Sequence, residues 1–182
     1  VAIVTGGGNI FRGMSVAAEG ADRVTADMMG TLGTIINSLA LASALTREGV
    51  KAKVFSAITM PSIADSYTAR AAKAALEDGY VVVLGGGIAN PFFTTDTAAA
   101  LRAIELDCDV VLKGTNVDGV YSADPKKHPD ATRYDTITHA EVIARDLRVM
   151  DTAAFALARD NALPIIVYAL DDPAGLTGVL EG

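Results

Sequence analysis

The chain has 182 residues, of which 51% are hydrophobic, 17 are glycine and none is tryptophan, and this composition fits one α/β domain that buries a core. Its formal net charge of -7 argues against a general nucleic-acid binder, because a phosphate-backbone partner calls for an excess of basic residues. A single cysteine excludes an internal disulfide framework and suits a reducing compartment. We expect no membrane-spanning segment, since no apolar run reaches the required length, and we see no signal-peptide pattern.

The first predicted strand runs directly into a glycine loop. Val1–Thr5 is typical of a buried strand, and Gly6–Gly13 follows it with three consecutive glycines and one arginine. Glycines let backbone amides approach an anion closely, and Arg12 offers a planar guanidinium that stays charged at any working pH. The loop therefore predicts a phosphate site. The alternative is a solvated arginine in a turn.

A long helix is predicted next, over Ala21–Glu48, and Gly49 ends it. Asp27 lies one turn after Arg23, on the same face of this helix. Two interpretations of Asp27 stay open. It forms a surface pair with Arg23, or it points from the helix start towards a ligand cleft and accepts a hydrogen bond from a sugar hydroxyl.

A second glycine loop, Gly85–Asp96, joins a strand predicted at Tyr80–Leu84 to a helix predicted at Thr97–Leu106. It lies at the carboxyl end of its strand, where open α/β sheets bind ligands. Its glycines admit close backbone approach, its threonines offer hydroxyls, and Asp96 is expected to cap the helix that follows. The loop is the first candidate for the active site. The alternative is a plain strand-to-helix turn.

The segment Gly114–Pro125 follows a short predicted strand that Lys113 closes. Apolar residues alternate around Asp118–Gly119, which predicts a small hairpin. The segment offers the ring of Tyr121, a hydroxyl and a carboxylate within ten residues, which is the set needed to seat a nucleobase and ribose. It could also be a hairpin only. Lys113 is either a further cation at a strand end or a structural lysine paired with a carboxylate.

Strands and helices alternate along the chain, which predicts a mostly parallel sheet covered by helices on both faces. His128 and His139 lie apart from cysteine or further histidine at ligand spacing, so a structural metal site is not expected. The remaining predicted elements are strands at Val50–Ser56, Val110–Leu112 and Leu163–Tyr168, and helices at Asp65–Leu76, Thr138–Arg145 and Asp151–Asp160. The spacing of Thr138 and Glu141 predicts a capping box at the start of the second of these helices.

Four motifs together resemble the bacterial uridylate kinases of the amino acid kinase superfamily, in the same order and over essentially the whole chain. They are Gly6–Gly13, Asn90–Asp96, Val117–Pro125 and Val149–Asp151. The resemblance implies a three-layer αβα sandwich with a mostly parallel central sheet. It also implies transfer of the γ-phosphoryl group of ATP, carried with Mg²⁺, to UMP, giving UDP in pyrimidine nucleotide (CTP) synthesis. The implied enzyme is a cytoplasmic homohexamer that GTP activates and UTP inhibits, with no nucleic-acid or membrane partner.

The resemblance also assigns roles residue by residue, with no protein residue as a metal ligand. Gly7 would contact UMP, Asp27 would hold its ribose, and Gly8 would lie at the ATP phosphates. Arg12, also at the phosphates, would neutralise charge on the moving phosphoryl group, and Asp96 would orient cations or waters. Two larger groups remain: Ile88, Ala89, Asn90, Pro91, Phe92, Phe93, Thr94 and Thr95 would wrap UMP, and Thr115, Tyr121 and Asp124 would line the ATP base and ribose.

Two departures from the family pattern are visible. Ile88-Ala89 stands where many relatives have a hydroxyl residue followed by glycine. The family also begins with a strand and a Lys-x-Ser-Gly-Glu loop, and no such segment precedes Val1. We therefore expect one amino acid kinase domain over residues 1–182 that lacks its N-terminal strand and phosphate-loop lysine.

Two other functions compete with UMP phosphorylation. One is a kinase of the same superfamily that acts on a carboxylate or carbamate, against which the Asn90–Asp96 motif counts. The other is a non-catalytic nucleotide- or oxyanion-binding protein on the same scaffold.

Overall fold

The computed structural model describes residues 1–11, 20 and 22–181, which divide into two compact units, Val1–Leu106 (unit 1) and Asp107–Gly182 (unit 2). In unit 1 the elements are β1 Ala2–Val4, α1 Arg23–Arg47, β2 Ala52–Ser56, β3 Asp65–Ser66, α2 Ala69–Glu77, β4 Val81–Gly85 and α3 Thr95–Glu105. In unit 2 they are β5 Val111–Thr115, β6 Val120–Tyr121, β7 Arg133–Tyr134, α4 His139–Ala144, α5 Thr152–Asp160, β8 Ile165–Ala169 and α6 Pro173–Glu181.

The strands of unit 1 form a parallel sheet in the order β1-β4-β2-β3. Helix α1 connects β1 to β2, and α2 leads back from β3 to β4, so the two connections run in opposite directions along the strand order. Because such crossovers are right-handed, the two helices lie on opposite faces. The fold is therefore the predicted α/β arrangement of helix, sheet and helix. The loops after β1, β2 and β4 meet at one edge, since parallel strands end on the same side.

Helix α1 begins where the Asp22 carboxylate accepts a hydrogen bond from the Thr25 amide, and Gly49 follows its end with φ of 80°. Against expectation, α1 is long and apolar enough, by length and composition, to cross a membrane, which is weak evidence for a span. It packs against β2 and β4, and its sheet-facing side carries polar groups that find partners in the domain. These contacts place α1 in the helix layer over the sheet. Its buried residues are Ala26, Gly33, Thr34, Ile35, Ser38 and Ala42.

Unit 2 is built on a parallel pair and an antiparallel pair of strands. β5 and β8 run parallel from Val111 opposite Ile165 to Thr115 opposite Ala169. β6 and β7 pair antiparallel, α4 packs against α5, and α6 packs against β8. The predicted capping box opens α4, because the Thr138 hydroxyl accepts from the Glu141 amide and the Glu141 carboxylate accepts from the Thr138 amide. This part of the prediction is confirmed.

The predicted helix at Asp65–Leu76 is wrong at its start. Asp65–Ser66 is a short strand beside β2, where Asp65 pairs with Lys53 at 3.0 Å. The helix begins only at Ala69, because the Thr68 hydroxyl accepts a hydrogen bond from the Ala71 amide and caps it.

The hairpin predicted around Asp118–Gly119 is also wrong. β6 pairs with β7, twelve residues further on, through Tyr121 opposite Arg133. Arg133 draws the two segments together, since its guanidinium donates to the Asp118 carbonyl at 3.1 Å and lies 3.5 Å from the Asp118 carboxylate. Lys113 does not close its strand either, because β5 continues to Thr115.

Candidate active site

The loop after β1 lies directly on helix α1, at the carboxyl edge of the unit 1 sheet. A Cβ atom at Gly7 would overlap the carbonyl oxygen of Gly30 and lie 2.8 Å from the amide nitrogen of Thr34. Only glycine fits this approach without moving backbone. The Gly7 carbonyl also accepts hydrogen bonds from the Ile10 and Phe11 amides, at 3.0 and 2.9 Å, which turns the chain back on itself.

A buried polar network beneath the edge joins both glycine loops to α1. The Thr34 hydroxyl, in a residue only 6% exposed, accepts a hydrogen bond from the Gly86 amide at 2.7 Å. The Thr5 hydroxyl donates to the Thr34 carbonyl at 2.9 Å and lies 2.7 Å from the Ser38 hydroxyl. Buried groups with such partners are costly to disturb, so the network fixes the start of each loop.

Two asparagines add a second tie between the first loop and α1. The Asn37 side-chain amide donates to the Gly6 carbonyl and to the Asn9 side-chain oxygen, both at 2.6 Å. Asn9 donates back to Asn37 at 3.3 Å. Asn37 was not predicted as a site residue, although polar Thr34, Asn37 and Ser38 lie at helical spacing in an otherwise apolar helix, which is a usable signal.

Asp27 reaches the second loop from α1. Its carboxylate accepts from the Arg23 Nε at 2.8 Å and from the Phe92 amide at 2.8 Å, and its side chain is 15% exposed. The Arg23 hydrogen bond holds the pKa of Asp27 below its usual value, with a smaller contribution from the Phe92 amide. The Arg23 guanidinium also lies 5.2 Å from the centre of the Phe92 ring. The predicted pair with Arg23 is therefore present, and the same carboxylate also faces the loop.

The loop between β4 and α3 is held in an unusual backbone shape. Ala89 and Phe92 have φ of 61° and 70°, in the left-handed region that L-residues seldom adopt. The Asn90 side chain donates to the Ile88 carbonyl at 3.1 Å. Phe92 is 63% exposed, and Phe93 is exposed beside it. Strained backbone and exposed aromatic rings in one loop are typical of a ligand-binding segment.

Asp96 does not cap α3, contrary to the prediction. The cap is Thr94, whose hydroxyl accepts from the amides of Asp96 and Thr97 at 3.1 and 3.4 Å. The helix therefore starts at Thr95, and Asp96 lies in its first turn, where a carboxylate is favoured by the helix dipole.

Three further residues, none of them predicted from the sequence, support the second loop. Arg102 of α3 donates to the Gly87 carbonyl at 2.9 Å and to the Glu105 carboxylate at 2.7 Å. The Tyr67 hydroxyl donates to the same carboxylate at 2.6 Å. Burial, followed by that hydrogen bond, raises the pKa of Tyr67 well above its usual range.

Unit 2 contains a cavity of about 500 Å³ that Thr115, Tyr121 and Asp124 line together. The Tyr121 hydroxyl donates to the Asp118 carboxylate at 2.7 Å, and this hydrogen bond raises the pKa of Tyr121 and lowers that of Asp118. The Asp124 carboxylate accepts from the Lys126 amide at 3.0 Å. Four basic residues complete much of the wall, namely Lys126, Lys127, Arg145 and Arg148.

The predicted site residues thus fall into two groups. Gly7, Gly8, Asp27 and the 88–95 segment lie in unit 1, where Asp27 contacts the Phe92 amide. Thr115, Tyr121 and Asp124 share the cavity of unit 2. Arg12 lies outside the described residues.

Among residues 1–11, 20 and 22–181, the histidine, cysteine and acidic side chains form no group of three or more that could hold a metal ion. Mg²⁺ at phosphoryl-transfer sites takes one or two carboxylates and otherwise phosphate and water oxygens. The carboxylate of Asp96 is a hard oxygen group, which suits the expected role of orienting Mg²⁺ or its waters.

Comparison with known proteins places the whole chain among nucleotide kinases. The model of the amino acid kinase family matches residues 1–169. The chain is 59% identical to the uridylate kinase of Brucella anthropi and 58% identical to that of Mesorhizobium japonicum, in each case over 100% of this chain and 76% of the relative.

Solved structures agree with the sequence matches. The crystal structure of UMP kinase from Ureaplasma parvum has a TM-score of 0.94 at 42% identity and covers 100% of this chain and 77% of that one. The uridylate kinase of Archaeoglobus fulgidus has a TM-score of 0.76 at 30% identity, over 100% and 80% of the two chains. The resemblance drawn from the four motifs is confirmed.

Proposed function

We propose that this chain, which belongs to the amino acid kinase family and within it to the uridylate kinases, transfers the γ-phosphoryl group of ATP to UMP. The observation that carries the proposal is 59% identity to a uridylate kinase across all 182 residues. A kinase acting on a carboxylate or carbamate is not favoured, because the named relatives are uridylate kinases.

The acceptor site proposed for UMP is the loop edge of unit 1. Residues 88–95 would wrap the nucleotide, and Gly7 would let backbone lie against it. Arg23 and the Phe92 amide use only part of the hydrogen-bonding capacity of the Asp27 carboxylate. Its remaining lone pairs would accept hydrogen bonds from the ribose hydroxyls. The group is an anionic acceptor throughout the neutral range, and its lowered pKa extends that state to more acidic pH.

The donor site proposed for the ATP base and ribose is the cavity of unit 2. A volume of about 500 Å³ is within the ordinary range of small-ligand pockets. The Tyr121 ring would stack on the base, and Thr115 and Asp124 would hold polar groups of the base and ribose. Gly8 and Arg12 would lie at the phosphates.

The reaction calls for positioning and charge neutralisation, with little covalent work by the protein. A phosphate oxygen of UMP is the nucleophile and is already deprotonated near neutral pH, so no general base is required. Arg12 would neutralise charge on the phosphoryl group, and Asp96 would orient a cation or water. Mg²⁺ bound with ATP would supply further neutralisation of the phosphates.

The finer properties of the family are also proposed for this chain: a cytoplasmic homohexamer in pyrimidine nucleotide synthesis, activated by GTP and inhibited by UTP. A row of exposed apolar residues on α1, three or four positions apart, supports assembly of copies through this helix face. The row comprises Met29, Leu32, Ile36 and Leu39. Light scattering on Ile36→Glu tests this point, since a charge in the row should reduce the oligomer size.

A coupled ADP-release assay on the full-length protein tests the main proposal. The acceptors are UMP, CMP, dUMP, glutamate, aspartate and acetylglutamate. We expect strong turnover with UMP alone. Turnover with an amino acid acceptor would overturn the proposal, and ATP binding without turnover of any acceptor would favour a non-catalytic nucleotide-binding protein.

A further inference from the structure

Arg102 is a buried arginine in the last turn of α3, at 8% exposure. Arginine is seldom buried unless it is fully paired, because removing its charge from water is costly. A helix of this kind could place an alanine or leucine there at no such cost. The buried guanidinium is therefore explained only by the groups that it binds.

Its partners connect α3 to the start of the second glycine loop. One terminal nitrogen donates to the Gly87 carbonyl at 2.9 Å, and the other donates to the Glu105 carboxylate at 2.7 Å. Gly87 immediately precedes the 88–95 segment. Arg102 thus links α3 to the backbone at the entrance of that segment.

Tyr67 holds the guanidinium from a third direction. The Arg102 guanidinium carbon lies 4.0 Å from the centre of the Tyr67 ring, and the Tyr67 hydroxyl donates to Glu105 at 2.6 Å. Tyr67 is fixed in turn, since its amide donates to the Ser56 carbonyl at the end of β2, at 2.8 Å. The arginine is therefore oriented by an acid and by a ring, and the residue that carries the ring is itself tied to β2.

We propose that Arg102 is a positioning residue of the UMP site, which fixes the Gly87 carbonyl and so the shape of residues 88–95, with Glu105 and Tyr67 orienting it. The proposal rests on the proposed function of the 88–95 segment as the acceptor loop. It predicts a change in the KM of UMP with little change in the KM of ATP. The reason is that the contacts of Arg102 on which the proposal rests end at that loop. A merely structural arginine would lower stability without that selectivity.

The test measures KM for UMP and ATP, kcat, and the Kd of UMP by calorimetry on the full-length protein. Arg102→Lys keeps the charge and loses the fork that reaches both partners. We expect it to raise the KM and Kd of UMP about tenfold, the loss expected when a charge-assisted hydrogen bond is removed, with KM for ATP within about twofold. Tyr67→Phe keeps the ring and removes the hydroxyl, and should raise the KM of UMP about threefold.

Ala75→Gly is the matched control, since it lowers stability at a buried position of α2 away from the loop. Ala75→Gly should leave the KM of UMP unchanged, although its melting temperature should be lowered about as much as that of Arg102→Lys. Equal changes in the two KM values for Arg102→Lys, or a KM of UMP within twofold of the parent, would overturn the positioning role.

Amide hydrogen exchange separates this inference from the function itself. In the ligand-free protein, residues 86–94 should exchange several-fold faster in Arg102→Lys and Tyr67→Phe than in the parent. Unchanged exchange would reject the positioning role whatever the enzyme phosphorylates. Absence of UMP turnover in the parent, with faster loop exchange in the variants, would instead reject the proposed acceptor.

Discussion

The loop edge of unit 1 and the cavity of unit 2 are organised in opposite ways. At the loop edge, backbone groups are held by buried side chains, as Thr34 holds the Gly86 amide and Arg102 holds the Gly87 carbonyl. Around the cavity the ion pairs lie between exposed side chains, as between Arg148 and Asp146. Losing a partner of a buried group costs about 1 to 3 kcal/mol, whereas an exposed ion pair contributes about 0 to 1 kcal/mol.

The contrast indicates which of the two sites has its shape fixed before a ligand binds. The second glycine loop takes its shape from contacts within the fold, so we expect its geometry to be set before a ligand arrives. The exposed pairs around the cavity contribute less to stability, so we expect its lining to adjust more readily to a ligand. Substitutions at the loop edge should therefore affect stability and activity together, and substitutions in the cavity should affect binding with little change in stability.

Gly7→Ala should have the largest effect. The new Cβ would overlap the Gly30 carbonyl and crowd Thr34, and because both are backbone atoms of α1 the loop must move. Overpacking of this kind costs about 1 to 3 kcal/mol or more, and we expect at least a hundredfold loss of kcat/KM for UMP from the displaced loop. Urea denaturation and the coupled assay measure the two effects.

Gly178→Ala is the control for Gly7→Ala. It lies in α6, where an added Cβ meets nothing within 4 Å, so it should be neutral or slightly stabilising. If Gly7→Ala behaves like Gly178→Ala, the loop does not depend on its close approach to α1.

Asp27→Asn should raise the KM of UMP more than that of ATP. A carboxylate accepts from hydroxyls more strongly than an amide by about 1 to 2 kcal/mol, which corresponds to a roughly 5- to 30-fold change in KM. Steady-state kinetics with each substrate varied in turn measure the split. Equal changes for both substrates would leave Asp27 only as the partner of Arg23 and the Phe92 amide.

Asp27 should also contribute to the pH dependence of stability. Its pKa in the folded protein lies below the ordinary value of 3.8, because Arg23 and the Phe92 amide donate to it. The contribution is therefore present above about pH 4 and is lost as the pH falls through the lowered pKa. Acid titration of the free energy of unfolding should show a shallower loss in Asp27→Asn than in the parent.

Tyr121→Ala should raise the KM of ATP about fivefold, through loss of ring stacking, with UMP affected little. Tyr121→Phe keeps the ring and should stay within about twofold for both substrates, since the hydroxyl only meets the exposed Asp118 carboxylate. Thermal denaturation of both variants should follow the parent. A clear loss of stability would show that the cavity is as tightly held as the loop edge.

Ala89→Gly should have the smallest effect and the opposite sign. Ala89 has φ of 61°, which costs an L-residue about 1 kcal/mol, and glycine removes that strain while adding entropy to the unfolded chain. The net change should be a stabilisation of at most about 1 kcal/mol. Urea denaturation checks it, and destabilisation would mean that the Ala89 methyl makes contacts that outweigh the strain.

The sequence predicted the features that are local. The two glycine loops, the strands before them and the capping box at Thr138 each depend on residues a few positions apart. Thr94 rather than Asp96 caps α3 because both residue types are good caps and the fold selects between them.

The features that the sequence did not predict depend on distant partners. β3 and β7 have two residues each and exist only through pairing, Asp65 with Phe55 and Arg133 with Tyr121. Arg102 looks like any surface arginine of a helix until Gly87, fifteen residues earlier, lies beside it. Such roles follow from tertiary contact, which local patterns do not encode.

The pairing of β1 with β4 has a kinetic consequence. Ala2 lies opposite Val82, so the first strand finds its place only after a long stretch of chain has formed α1, β2, α2 and β4. Closing so long a loop is slow because the entropy is lost before the contacts are gained. The first glycine loop follows this strand, and it rests on α1 as well. It should therefore reach its final position only after β4 is in place, late in the formation of unit 1.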